Sequence, residues 1–155
     1  MAEEYGVFLD TGLGLGEVAE QLKGALGLGA SLEGSGGDGE VGLRGPGLSG
    51  VGVLGVSVHR NWHVLVDAEV GEAQAIDPYG VQVDVLDGGG DEARAVFERL
   101  AGAGLGMAML LVEDVTYLVA AYLPDVGTHY FAAGVSMDEP DIEAWRGWVS
   151  EVRMG

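Results

Sequence analysis

Residues 107–135 read MAMLLVEDVTYLVAAYLPDVGTHYFAAGV, and this stretch decides the fold class. It contains three apolar runs, separated by an acidic pair at 113–114 and by the turn-like segment 124–127. Short runs rich in β-branched and aromatic residues, bounded by turn residues, are typical of strands joined in hairpins. Because strands joined by a hairpin run in opposite directions, the stretch predicts an antiparallel sheet.

The sequence on either side of this stretch adds more strands and three helices. The turn sequence Asp77-Pro78-Tyr79-Gly80 predicts a further hairpin. Apolar residues at helical spacing predict helices over 15–26, from Asp91 to about 102, and from about 138 onwards. Each helix has a single apolar stripe, so we expect all three to pack on one face of the sheet. The predicted class is α+β with a largely antiparallel sheet.

The chain length and its glycines suggest how the elements are organised. A length of 155 residues fits a single domain spanning 1–155. Residues 29–50 contain nine glycines and little periodicity, which predicts a mobile loop. Tyr5-Gly6-Val7 and Tyr79-Gly80-Val81 each begin a strand that leads to a helix. This recurrence suggests a degenerate internal duplication.

Charge is the strongest compositional signal. The chain has 25 acidic and seven basic residues, a formal net charge of −18. Such a field repels nucleic acid and anionic membranes and attracts basic proteins. Acidity also favours solubility and suits a high-salt cytoplasm or an acidic proteome, so a functional acidic face and background acidity both remain open. The acidic start and the absence of a 20-residue apolar segment lead us to expect a cytoplasmic protein without a secretory signal.

The candidate catalytic motifs are each incomplete. Gly12-Leu13-Gly14-Leu15-Gly16 lacks the spacing and the parallel βαβ unit of a dinucleotide site. Asp10-Thr11-Gly12 resembles an aspartic-protease triplet but has no matching second copy. The chain has no cysteine, which excludes thiolate-bound metals. We therefore expect no catalysis, cofactor or metal; the alternative is a small metal-dependent hydrolase that uses the three side chains His59, His63 and Asp67.

Aromatic residues near turns, surrounded by carboxylates, suggest a protein-binding surface. Such residues act as anchors at protein interfaces, and charge steers the approach of the partner. If the turns meet at one end of the sheet, their acidic residues merge into one negative surface. The predicted partner-binding residues are Trp62, Tyr79, Asp84, Asp87, Asp138, Asp141 and Trp148.

In size, acidity, lack of cysteine and pattern of elements, the whole chain resembles the small immunity proteins that bacteria carry against polymorphic or contact-dependent toxins. The resemblance implies a protein-binding inhibitor whose partner is a toxin domain, for example a basic nuclease. A secretion chaperone or adaptor would have the same character. The sequence thus predicts a binding protein with a basic protein partner, and no binding to nucleic acid or membrane.

Overall fold

The computed structural model describes residues 4–30, 40–48, 52–61, 75–76, 78–86, 89–114, 116–136 and 141–149. Within them, eight strands and three α-helices are formed, and a single turn of 3-10 helix follows the last α-helix. Their bounds are β1 Tyr5–Leu9, α1 Leu15–Leu26, β2 Gly29–Ala30, β3 Glu40–Pro46, β4 Val53–Arg60, β5 Val81–Val85, α2 Gly89–Ala101, β6 Met109–Glu113, β7 Tyr117–Leu123, β8 Gly127–Tyr130, α3 Ile142–Trp145 and the 3-10 turn Arg146–Trp148.

The eight strands form one sheet in the order β2-β3-β4-β5-β1-β6-β7-β8. Every neighbouring pair is antiparallel. The predicted α+β class with an antiparallel sheet is therefore confirmed. β1 lies near the centre, where Leu9 is opposite both Val81 and Met109 and Tyr5 is opposite both Val85 and Glu113. These two rows of residues mark the two ends of the sheet.

Helix α1 has the bounds that its apolar stripe predicts. Val18, Ala19, Leu22 and Leu26 are buried, as expected for residues spaced at one helical turn. The helix ends at Gly27, whose φ of 71° is left-handed and whose N–H bonds to the carbonyl of Lys23. Glycine adopts this conformation without steric cost, so it ends helices efficiently. No helix formed by the described residues is long and apolar enough to cross a bilayer.

The sheet carries a core on each face. Helices α1 and α2 cover one side, which we call the helical face, and pack on residues such as Val7, Leu9 and Leu111. The intervening residues Phe8 and Leu110 point to the other side, which we call the second face. Successive strand residues alternate between faces, so the uninterrupted apolar sequence of β1 and β6 supplies both cores.

Helix α3 lies on the second face, so the prediction that all three helices share one face is wrong for α3. Trp145 is 1% exposed and packs in the cluster that contains Phe8 and Leu110. The physical reason is that the apolar second face of β1 and β6 also has to be shielded from water. The helix is also shorter than its stripe suggests, because Val149 is already extended, with φ −118° and ψ 160°.

The predicted glycine-rich loop at 29–50 is wrong over residues 40–46. This segment is strand β3, paired with β4 along its whole length. Leu43 is 1% exposed and belongs to the helical-face core. Gly42 and Gly45 did not prevent pairing because the side chains of Val41 and Leu43 reach the core. Residues 31–39 lie outside the described part of the chain.

The two halves share a strand-to-helix unit, but their connections differ. β1 leads to α1, β5 leads to α2, and the two strands pair with each other in the sheet. The strand directly after α2 is β6, which pairs with β1. The strand that pairs with β5 on its other side is β4, the last of three strands after α1. Among the described elements, the topology contains no repeated connection that would support a duplication.

Candidate functional site

Several acidic residues meet at the end of the sheet that contains Tyr5. In this row Val85, Tyr5, Glu113 and Tyr117 are successive cross-strand partners. Directly opposite residues in antiparallel strands point to the same face. Tyr5 packs against the helical-face core, so Glu113 and Tyr117 lie on that side at the sheet margin.

Glu4 and Asp114 are joined by two hydrogen bonds at this end. The Glu4 N–H donates to Asp114 Oδ1 at 2.8 Å, and the Asp114 N–H donates to the Glu4 carbonyl at 2.6 Å. Asp114 has a φ of 53°, the left-handed conformation that the tight β6–β7 turn requires. Aspartate tolerates this conformation better than most residues. The turn therefore fixes two exposed carboxylate-bearing residues beside Glu113.

Two further aspartates reach the same end. Asp91 lies in the first turn of α2, which begins after β5. A side chain at neighbouring Gly90 would place its Cβ 2.8 Å from Tyr5 Oη, so the start of α2 is pressed against the Tyr5 row. Asp141 Oδ2 accepts the N–H of Ser136 at 2.7 Å, and Ser136 bridges to Tyr117. We call the surface of Glu4, Asp91, Glu113, Asp114 and Asp141 the acidic end.

Two large apolar side chains are exposed at this end of the sheet. Tyr117 is 43% exposed and Leu86 is 63% exposed. Tyr117 lies between Glu113 and Ser136, and Leu86 follows β5, with its N–H bonded to the carbonyl of Gly55. Sequence reasoning named neither residue. The available signal for Tyr117 was its position three residues after the turn-forming acidic pair.

The structure removes Tyr79 from the predicted binding residues. Its side chain is fully buried in the second-face core, beside Phe8. The turn before it is closed by the Tyr79 N–H, which bonds to Ile76 at 3.0 Å, and Asn61 Nδ2 donates to both of their carbonyls. A residue inside a turn can be buried when the turn folds onto a core. The prediction of an exposed Tyr79 is wrong.

The remaining predicted residues have different surroundings. Trp148 is half-buried and stacks on His129, with ring centroids 4.5 Å apart and planes 8° from parallel. Asp141 belongs to the acidic end. Three more, Trp62, Asp87 and Asp138, lie outside the described part of the chain.

Asp84 lies at this end of the sheet but is committed to internal bonds. Its Oδ2 is 2.7 Å from His59 Nε2, and its Oδ1 accepts Gln82 Nε2 at 2.7 Å. The Asp84 side chain is 34% exposed, whereas that of His59 is 1% exposed. Asp84 thus binds His59 across β4 and β5, and both oxygens of its carboxylate take part in hydrogen bonds within the protein.

Ser57, His59 and Asp84 have the residue types of a nucleophilic triad but not its geometry. The Ser57 hydroxyl donates to Glu40. Both ring nitrogens of His59 face other oxygens, those of Asp84 and of the Arg60 carbonyl. A catalytic histidine needs one nitrogen directed at the nucleophile, so this arrangement cannot activate Ser57.

The metal-dependent alternative has no support in the described residues. Across the described ranges, no group of three or more His, Cys, Asp or Glu side chains is placed to hold a metal ion. His59, one of the three predicted ligands, has both nitrogens engaged. His63 and Asp67 lie outside the described ranges.

A second charged cluster lies where α2 meets the edge strand β8. The Arg94 guanidinium lies 4.4 Å from the centre of the Tyr130 ring, and its Nε is 3.4 Å from Glu98. Tyr130 donates its hydroxyl hydrogen to Glu98. This hydrogen bond raises the pKa of Tyr130 and lowers the pKa of Glu98. The cation, the carboxylate and the aromatic ring of this cluster therefore interact with one another within the chain.

Comparison of the chain with family models, with curated proteins and with solved structures finds no match.

Proposed function

We propose that this protein is a cytoplasmic binding protein of the immunity type, which neutralises a basic toxin domain by covering it with the acidic end. The observation that carries the proposal is that Glu4, Asp91, Glu113, Asp114 and Asp141 lie at the end of the sheet that also carries the exposed Tyr117. A basic nuclease would present the complementary charge, since such an enzyme binds an anionic substrate.

Charge and apolar area have different roles in this proposal. Carboxylates at one end of the molecule, of which those of Glu4, Asp91 and Asp114 are exposed, give a directional field, which speeds encounter with a cationic surface. Steering alone does not hold a complex together, because exposed ion pairs contribute little free energy. Tyr117 and Leu86 supply apolar surface that is buried from water when a partner docks. A tyrosine at the centre of an interface is a frequent energetic hot spot.

The rigidity of the acidic end also supports binding. Tyr117 is part of strand β7, and Asp114 is fixed by its two bonds to Glu4. Side chains held on a sheet lose less conformational entropy on association than those on a free loop.

The test is to identify the partner and to measure neutralisation. The tagged full chain is used to capture its partner from native cells, in parallel with Tyr117→Ala and with the control Val126→Ala. Val126 is 65% exposed and lies in the β7–β8 turn, at the opposite end of the sheet. The partner gene is then expressed in a host with and without this protein.

We expect a basic partner that stops host growth alone and not when this protein is co-expressed. Tyr117→Ala should weaken binding by about 1–3 kcal/mol, whereas Val126→Ala should bind like wild type. An acidic partner, or equal binding by both variants, would contradict the proposed surface. A harmless secreted partner would contradict the immunity function and indicate an escort protein.

A further inference from the structure

Strand β8 forms one edge of the sheet, and half of its backbone groups point outward. The Phe131 N–H donates to the carbonyl of Val119 at 2.9 Å, so residue 131 faces β7. Backbone groups of successive strand residues point to alternate sides, hence those of His129 also face β7. The N–H and C=O groups of Thr128 and Tyr130 therefore point away from β7. Both residues are exposed, and among the described strands none pairs with this side of β8.

The opposite edge of the sheet carries protection against further pairing, whereas β8 does not. At that edge the two residues of β2 cover part of β3, which contains Glu40, Arg44 and Pro46. Charged residues and proline are among the usual means by which proteins block an open edge. Residues 126–137 contain no Asp, Glu, Lys, Arg or Pro, in a chain of which 21% is charged. The β8 edge thus lacks the side chains that prevent strand addition.

We propose that β8 pairs antiparallel with β8 of a second copy of this chain, about a two-fold axis that passes between the two His129 residues. In this register Thr128 of one copy is opposite Tyr130 of the other, and the two residues exchange both N–H···O bonds. His129, whose backbone groups face β7, is opposite His129 of the second copy, where the ladder has no bonds. The symmetric register therefore gives each outward group of Thr128 and Tyr130 a partner.

The side chains at this edge are compatible with a second copy. Tyr130 is 41% exposed, and its ring is already held by the Arg94 guanidinium 4.4 Å from the ring centre and by a hydrogen bond to Glu98. A ring that is fixed before association loses little conformational entropy. The nearest acidic residue along the chain, Asp125, lies in the β7–β8 turn beyond the paired residues. No like charges therefore face each other across the two strands.

Charge favours a second copy over a cationic protein at this edge. The strand is uncharged, and Glu98 beside it already bonds to Tyr130 and Arg94, so a cationic protein is attracted more strongly to the acidic end. Two chains of formal charge −18 repel each other, and β8 has only four residues. The dimer is therefore weak, and salt should strengthen it by screening the repulsion. This inference does not depend on the proposed function, since the acidic end lies at the other end of β7.

Sedimentation velocity of the full chain, at increasing protein concentration and at low and high sodium chloride, tests whether the dimer forms. We expect a shift from monomer to dimer with concentration, and a smaller dissociation constant at high salt. Binding of a cationic partner to the acidic end should have the opposite salt dependence, so the two associations are distinguishable. A chain that stays monomeric at every concentration and salt would overturn the proposal.

Amide hydrogen exchange of the wild-type chain, measured by NMR at low and high concentration, locates the interface. The amides of Thr128 and Tyr130 should exchange rapidly in the monomer and become protected as the dimer forms. The Phe131 amide should be protected at both concentrations, because it bonds to Val119 within the chain. A dimer in which the amides of Thr128 and Tyr130 stay unprotected would contradict pairing through β8.

Two substitutions of one residue test the hydrogen bonds of the edge. Thr128→Pro removes an outward N–H without removing a bond to β7, whereas the matched control Thr128→Val keeps the N–H. Thr128→Pro should raise the dissociation constant of the dimer by about tenfold or more, because each copy loses a bond across the axis. Thr128→Val should dimerise like wild type, and equal dissociation constants for the two variants would contradict the proposal. If Thr128→Pro does not fold, the exchange pattern of the wild type decides.

Discussion

Replacing Trp145 by alanine should lower the free energy of unfolding by about 3–5 kcal/mol, the usual cost of truncating a buried tryptophan. The side chain is 1% exposed in the second-face core. Helix α3 has only four residues, too few to be stable alone, so its attachment depends on this anchor. Urea unfolding followed by far-UV circular dichroism measures the loss. A decrease below about 1 kcal/mol would refute the placement of α3.

The face on which Trp145 lies can be established with a matched pair of leucines. Leu110 and Leu111 are adjacent on β6 and both buried, but Leu110 lies on the second face and Leu111 on the helical face. Each leucine is replaced by alanine, once alone and once together with Trp145→Phe. Phenylalanine is used here because it removes less of the Trp145 side chain than alanine does. Residues in contact show coupling energies of about 0.5–3 kcal/mol, and distant ones are nearly additive. We expect the effects of Trp145→Phe and Leu110→Ala on the free energy of unfolding to be coupled, and those of Trp145→Phe and Leu111→Ala to be additive. Coupling of Trp145 with Leu111 only would place α3 on the helical face, with α1 and α2.

Three further predictions follow from the structure. Asp114→Ala should destabilise the chain by about 1–2 kcal/mol because alanine resists the left-handed conformation, whereas Asp114→Asn should cost less; equal urea midpoints would contradict this. Glu92 is 3% exposed and accepts the Leu48 N–H, so Glu92→Ala should cost about 1.5–3 kcal/mol and speed hydrogen exchange at the Leu48 amide. Glu98→Ala removes the acceptor and its charge, so it should lower the raised pKa of Tyr130 towards its ordinary value, measured by ultraviolet titration against Tyr130→Phe; an unchanged titration would exclude the hydrogen bond to Glu98 as its cause.

Local patterns predicted much of the fold, but not which face of the sheet each element covers. The stripe of α1 gave its bounds because four buried residues at helical spacing determine a helix. A stripe shows that a helix buries one side, not which face of a sheet receives it. The signal for α3 was in β1 and β6, whose consecutive apolar residues Phe8 and Leu110 require cover on both sides.

The acidic end was partly predictable. Glu113 and Asp114 were recognised as a turn, and turns between antiparallel strands necessarily meet at sheet ends. The burial of Tyr79 was not predictable, since it depends on packing in the second-face core, whose members include Phe8, a residue more than 70 positions away. The bond between Asp84 and His59 likewise depends on strand register, which neither residue's local sequence specifies.

The association rate with the captured partner, measured for two matched triple variants, tests the central claim most directly. Glu4→Gln/Glu113→Gln/Asp114→Asn removes three charges from the acidic end. The control, Asp10→Asn/Glu17→Gln/Asp125→Asn, removes three from the opposite end, where β1 ends, α1 begins and β7 turns into β8. Both variants therefore have the same net charge.

The expected difference follows from Coulomb's law. One pair of unit charges 10 Å apart in water interacts by about 0.4 kcal/mol, which falls to about 0.1 kcal/mol at 0.15 M salt. If each of the three lost charges interacts with about three partner charges, the nine pairs contribute about 0.9 kcal/mol, so association should slow about fivefold at 0.15 M salt, and more at lower salt. The account predicts this loss for the acidic-end variant and a much smaller one for the control. Equal rates for the two variants at every salt concentration would contradict it.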